Sequence, residues 1–115
     1  MTAKDARSLQ AAKNQSLFRD VNERIESLNE AFGRISPMGE WICECADSQC
    51  FAPISLTVDE YEAIRAHPAR FPVLPGHEVA DVETVVEVNE RYLVVEKRGL
   101  AKALAIQHDP RTSRT

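Results

Sequence analysis

Trp41-Ile42-Cys43-Glu44-Cys45-Ala46-Asp47-Ser48-Gln49-Cys50 holds all three cysteines of the chain within eight residues. If Glu40–Cys45 is a short strand, side chains alternate faces along it. Cys43 and Cys45 then share one face, and Ile42 and Glu44 take the other. Two thiolates on one face can share one ion, and the polar turn Ala46–Gln49 lets Cys50 fold back as a third sulfur. A fourth ligand comes from Leu74-Pro75-Gly76-His77-Glu78, where a proline–glycine turn aims His77 back at the cysteines, 27 residues after Cys50. Three thiolates and one imidazole make the Cys3His set of structural zinc sites. With only three cysteines, zinc is a better match than an iron–sulfur cluster.

Other readings of the same residues stay open at this level. Glu78 or Asp47 can replace His77 as fourth ligand, and Glu78 can instead orient the imidazole from behind. The cysteines can be unrelated buried thiols, or a redox pair closing Cys43 or Cys45 onto Cys50. If water held the fourth position, a small zinc-dependent hydrolase or deaminase would be conceivable. The deaminase signature, however, needs H-x-E ahead of P-C-x-x-C, whereas His77 and Glu78 are adjacent and follow the cysteines. No G-x-S-x-G, P-loop, dinucleotide-binding glycine run or H-E-x-x-H is present. His67, before Pro68, suits an exposed helix end, and His108 falls in the C-terminal tail.

Outward from the cluster, the most periodic segment lies upstream. Phe18, Val21, Ile25, Leu28 and Phe32 recur at spacings of 3, 4, 3 and 4 and form one helical stripe, broadened by Leu17. Arg19, Asp20, Asn22, Glu23, Arg24, Glu26 and Glu30 cover the other side, and Gly33 is placed as the stop. The expectation is that the apolar stripe packs on the domain's own sheet. The alternative is pairing with a protein partner or a second copy through the Phe18, Val21, Ile25, Leu28 face. Only about two heptads are sustained, fewer than the three or four of a convincing coiled coil.

Arg34–Gly39 reads as a connector. Pro53–Leu56 reads as a second strand with Ile54 and Leu56 on one face. Thr57 and Glu60 have capping-box spacing and open a short helix with Tyr61 and Ile64 inward, ended by Pro68. Phe71–Leu74, interrupted by Pro72, suits an edge strand. Val82–Val88 and Arg91–Lys97 flank Asn89-Glu90 as a hairpin with a two-residue turn in which Asn89 accepts a positive φ. Beyond Gly99 the pattern fades into a brief Leu100–Ile106 helical turn and a frayed basic end.

These elements predict one α+β domain: an N-terminal amphipathic helix and one short helix packed on a small, mainly antiparallel sheet with a zinc-knuckle-like loop. Residues 1–14 form a flexible or helical lead, 15–97 the zinc-stapled domain, and 98–115 a basic, disordered tail. The 115-residue length fits one modest core. Of the net charge of −4, the segment from Lys97 onward carries +4 and residues 1–96 carry −8. That acidic body lacks the basic face nucleic acid requires. No apolar run approaches the ~18 residues of a membrane span, and the N-terminus has no apolar signal core. A cytoplasmic, reducing location is expected, where clustered cysteines bind metal more often than they cross-link.

The chain resembles a group of small bacterial proteins in which a helix ending in L-N-E-x-F-G precedes an aromatic-x-C-E-C-x4-C cluster. In those proteins a helix like Val58–Arg65 leads to a P-G-H-E turn and a hairpin like Asn89–Lys97. The likeness spans roughly residues 17 to 97 and implies that Cys43, Cys45, Cys50 and His77 act as one constellation. The SWIM-type zinc finger also begins C-x-C, but it closes with C-x-H, which is missing after Cys50. The expected function is a non-enzymatic interaction or regulatory module with a structural zinc site. A zinc-thiolate redox or metal sensor is the alternative, followed by the small hydrolase.

Overall fold

A computed structural model describes residues 3–32, 38–47 and 49–111. The elements run α1 (Ala3–Phe32), β1 (Met38–Ile42), β2 (Pro53–Thr57), α2 (Val58–Arg65), β3 (Arg70–Val73), β4 (Glu83–Val88), β5 (Leu93–Lys97) and α3 (Gly99–Gln107). The class is α+β, with helices packed on small antiparallel sheets. The strands divide between two sheets, an antiparallel β1–β2 pair and a three-stranded sheet of order β3-β5-β4. The Gly33 stop, residues 34–37 of the connector and the side chain of Phe32 lie outside the described residues.

The short elements follow from local chemistry. Ile54 and Leu56 alternate inward from β2 while Pro53 and Ser55 face out. Thr57 caps α2 reciprocally, its hydroxyl accepting the Glu60 N–H at 3.0 Å and the Glu60 carboxylate accepting the Thr57 N–H at 2.9 Å. Pro72 is tolerated because β3 is an edge strand. The core is built on Trp41, Ile54, Leu56, Tyr61, Ile64, Phe71, Val73 and Val95 and is continuous with the three cysteines. Trp41 stacks on Tyr61 at 4.1 Å between ring centroids and donates its indole N–H to the Leu56 carbonyl.

Three expectations are corrected. The β4–β5 hairpin closes through a four-residue loop, since Val88 pairs with Leu93. Among the described residues no non-glycine residue has a positive φ. Asn89 works through its side chain instead, its oxygen accepting the N–H groups of Arg91 and Tyr92 at 2.8 and 2.9 Å. Second, the expected Leu100–Ile106 helical turn is present as α3, but in place of a disordered tail from residue 98 it packs against α1 and β5. The chain then returns so that buried Asp109 meets buried Arg65 at 2.5 Å. Gly99, at φ +57, makes the corner between β5 and α3.

The third correction concerns α1. It packs on the domain, but through its polar side: Gln15, Arg19, Asn22 and Glu23 are buried along with Phe18. Of the expected inward stripe, Ile25 is partly buried. Leu17, Val21 and Leu28 are exposed at 60%, 37% and 61%. The physical reason is what α1 meets, namely the polar backbone edge of the cysteine segment and the buried charges Glu44, Arg65 and Asp109.

A candidate metal centre

The cysteine segment begins where β1 ends. The ladder stops at Ile42, short of the Cys45 expected from sequence, because the segment passes from one sheet to the other. The Cys43 N–H bonds to the Ala52 carbonyl on the β2 side, and the Glu44 N–H bonds to the Pro72 carbonyl on β3, each at 2.9 Å. Side-chain parity survives the crossing. Cys43 faces the His77 imidazole, while the Glu44 carboxylate faces α1. Asp47 then shapes the return, its carboxylate accepting the Gln49 N–H and its carbonyl accepting the Cys50 N–H.

His77 arrives on a turn closed by its own N–H to the Leu74 carbonyl at 2.9 Å, with Gly76 at φ +91. A side chain at residue 76 would strain that backbone. Leu74 serves the site twice, because its N–H also points at Cys43 Sγ, at 3.3 Å. His77 Nδ1 lies 3.6 Å from Cys43 Sγ and 3.6 Å from Cys50 Sγ. The ligand atoms of Cys43, Cys45, Cys50 and His77 all fall within 4.8 Å of one another. A tetrahedral ion with bonds of about 2.3 Å to sulfur and about 2.0 Å to nitrogen sets its sulfur and nitrogen ligands roughly 3.5 Å apart. The four residues expected from sequence are therefore brought together at a spacing that could hold a metal ion. The proposed substitutes are engaged elsewhere: Glu78 accepts the Gly76 N–H and Asp47 the Gln49 N–H.

All three cysteines are free and buried. Burial pushes the Cys43 and Cys45 thiols up, opposed at Cys43 by the Leu74 N–H and at Cys45 by the Asp47 N–H. Neutral thiols are thus favoured until a cation arrives, and a bound divalent ion inverts that preference. A cleft of about 490 Å³ lined by Cys45, Ala46, Asp47, Gly76, His77 and Val79 opens beside the ligand set.

Sequence reasoning missed what holds the centre from behind. Side chains of α1 read the cysteine segment as a neighbouring strand would. Asn22 accepts the Ile42 N–H and donates to the Ile42 carbonyl, both at 2.9 Å. Gln15 donates to the Glu44 carbonyl at 3.1 Å and Asn14 to the Ala46 carbonyl at 3.2 Å. Arg19 and Asn22 donate to the Glu44 carboxylate at 3.1 and 2.8 Å. Burial raises the Glu44 carboxyl, against the pull of Arg19 and Asn22. Arg19 also donates to the Pro68 and Arg70 carbonyls, with its guanidinium 3.7 Å above the Phe71 ring. The far end of the His77 loop is fixed by Glu83, which accepts the Val79 N–H at 2.6 Å and pairs with buried Lys97 at 2.5 Å. The signal in the sequence is the second stripe Gln15, Arg19, Asn22, which repeats at helical spacing beside the apolar one.

Comparison with protein-family models, with curated proteins and with solved structures gave no match.

Proposed function

We propose that the protein is a small zinc-binding, non-enzymatic interaction or regulatory module in which a Cys3His zinc site is structural. The observation that carries this reading is the gathering of four buried or half-buried ligand atoms within 4.8 Å, supplied by two distant loops. An ion there ties the Cys43–Cys50 loop to the His77 turn. Because it binds only the folded arrangement, its binding free energy adds to folding. The thiolates favour zinc over hard cations, which prefer oxygen ligands. The acidic body directs the search toward protein contacts.

Elemental analysis of protein purified without added zinc should give about one zinc per chain. Metal-free protein with freely titratable thiols would overturn the site. His77→Ala should weaken zinc retention by about tenfold or more and lower the melting temperature, and unchanged values would move the fourth ligand elsewhere. A second reading, a zinc-thiolate redox sensor, is favoured by the cleft that reaches Cys45 and His77. It requires zinc release and a changed circular dichroism spectrum at mild peroxide, which a purely structural site resists.

A further inference from the structure

The exposed side of α1 carries a second pattern, offset from the one that packs. Leu17, Val21, Arg24 and Leu28 follow one another at spacings of 4, 3 and 4 and are all exposed. That is the spacing of a two-helix seam. Next to it, Phe51 is 69% exposed and stands edge-on to Phe18, with ring centroids 5.6 Å apart. The patch therefore takes residues from both α1 and the metal loop, since Phe51 directly follows Cys50.

We infer that this patch is the contact surface for a second copy of the chain, with the two α1 helices antiparallel about a two-fold axis. The seam is complementary to its own reverse. With Val21 set opposite Arg24 of the second copy, Leu17 falls opposite Leu28 of the second copy, and both layers recur across the axis, as an isologous contact requires. Charge selects the direction. A parallel pair stacks Arg24 on Arg24, with like charges in the seam. The antiparallel pair lays the Arg24 methylenes over Val21 and leaves its guanidinium with its own Asp20, already 3.4 Å away. From Leu17 to Leu28 the seam covers only about three helical turns, so the dimer is weak and exchanging. Phe51 enlarges the patch where the metal loop holds it, so dimerisation strengthens with metal bound. The metal dependence rests on the reading of the Cys3His site, whereas the helix seam does not.

Sedimentation velocity of the full chain over a concentration series, with zinc content measured in the same samples, tests this. The expected result is a concentration-dependent dimer that Leu17→Glu and Leu28→Lys each weaken about tenfold or more, with unchanged circular dichroism. Mixing those two variants should restore a heterodimer, because one Glu–Lys pair and one Leu–Leu pair then face each other. Failure of the mixture to recover would overturn the antiparallel arrangement. A monomer at every concentration with one zinc per chain would overturn the dimer and leave the metal site standing. A dimer in protein that binds no zinc would sustain the seam and sink both the site and its coupling.

Discussion

Two faces of one helix behave in opposite ways. The face of α1 that carries Gln15, Arg19, Asn22 and Glu23 is buried, and the face that carries Leu17, Val21 and Leu28 is in solvent. Hydrophobic burial alone would turn the helix the other way. What outweighs it is the opposing surface: an unpaired backbone edge and buried charges cost more to leave unsatisfied than three aliphatic side chains cost to leave wet. Polar groups on α1 thus specify where the cysteine segment lies. The exposed Leu17, Val21 and Leu28 specify nothing within the chain.

The sharpest way to break this contrast is at Arg19. Its guanidinium meets the Glu44 carboxylate, the carbonyls of Pro68 and Arg70, and the face of Phe71. Arg19→Ala leaves Glu44 buried without its cation and should cost about 3–5 kcal/mol, read by denaturant unfolding. Replacing both partners, Arg19→Leu with Glu44→Leu, should recover much of that loss, because no buried charge is then orphaned. If the single change costs no more than a surface substitution, α1 does not dock as described.

A smaller effect should appear on acidification. Burial would raise the carboxyls of Glu23 and Asp109, but hydrogen bonds from Arg111 and Tyr61 to the first and from Arg65 to the second hold both below the ordinary range. On α2, the Arg91 guanidinium brings the Glu60 carboxyl down to about 2. A depressed folded-state pKa contributes stability that is present above the unfolded value, near 4, and lost as pH falls through the folded one. These groups should therefore lower the stability read by thermal melts progressively from about pH 5 toward 2, by on the order of 1 kcal/mol per group. Glu26, raised by burial to about 8, and the raised Glu44 act in the opposite sense and favour the fold as pH drops from about 8 to 5. A melting temperature flat across the lower window, from about pH 5 to 2, would mean that these ion pairs do not form.

The contrast also explains which parts of the molecule were legible in the sequence. The Cys3His constellation, the Thr57–Glu60 cap, the Pro72 edge strand and the inward Ile54 and Leu56 were readable because each depends on chemistry within a few residues or on ligand identity alone. The orientation of α1 was not, because a stripe of Phe, Val, Ile and Leu is read as inward on the assumption that the opposing surface is apolar. Glu44 and Arg19 look like solvent-facing charges until a fold places them 3.1 Å apart. α3 was muted for a similar reason. Its anchor is the Asp109–Arg65 pair, 44 residues apart in sequence, and no local pattern announces it. The hairpin loop was misjudged in length because Asn89 stabilises the turn with its side chain and needs no left-handed backbone.

The smallest expected effect is the most diagnostic for the apolar face. Leu28→Ser, measured at a dilution where the chain is monomeric, removes an exposed side chain and makes no cavity. It should change stability by no more than about 0.5 kcal/mol, chiefly through helix propensity. The same truncation at a core position would cost roughly 2–5 kcal/mol, so the two orientations of α1 differ well beyond experimental error. A loss in the core range would turn the helix over and place Leu28 inside, and Asn22 could not then reach Ile42. A negligible loss, set beside the large cost at Arg19, would leave the apolar side free for a contact outside the monomer, since its exposure then gives the single chain no stability in return.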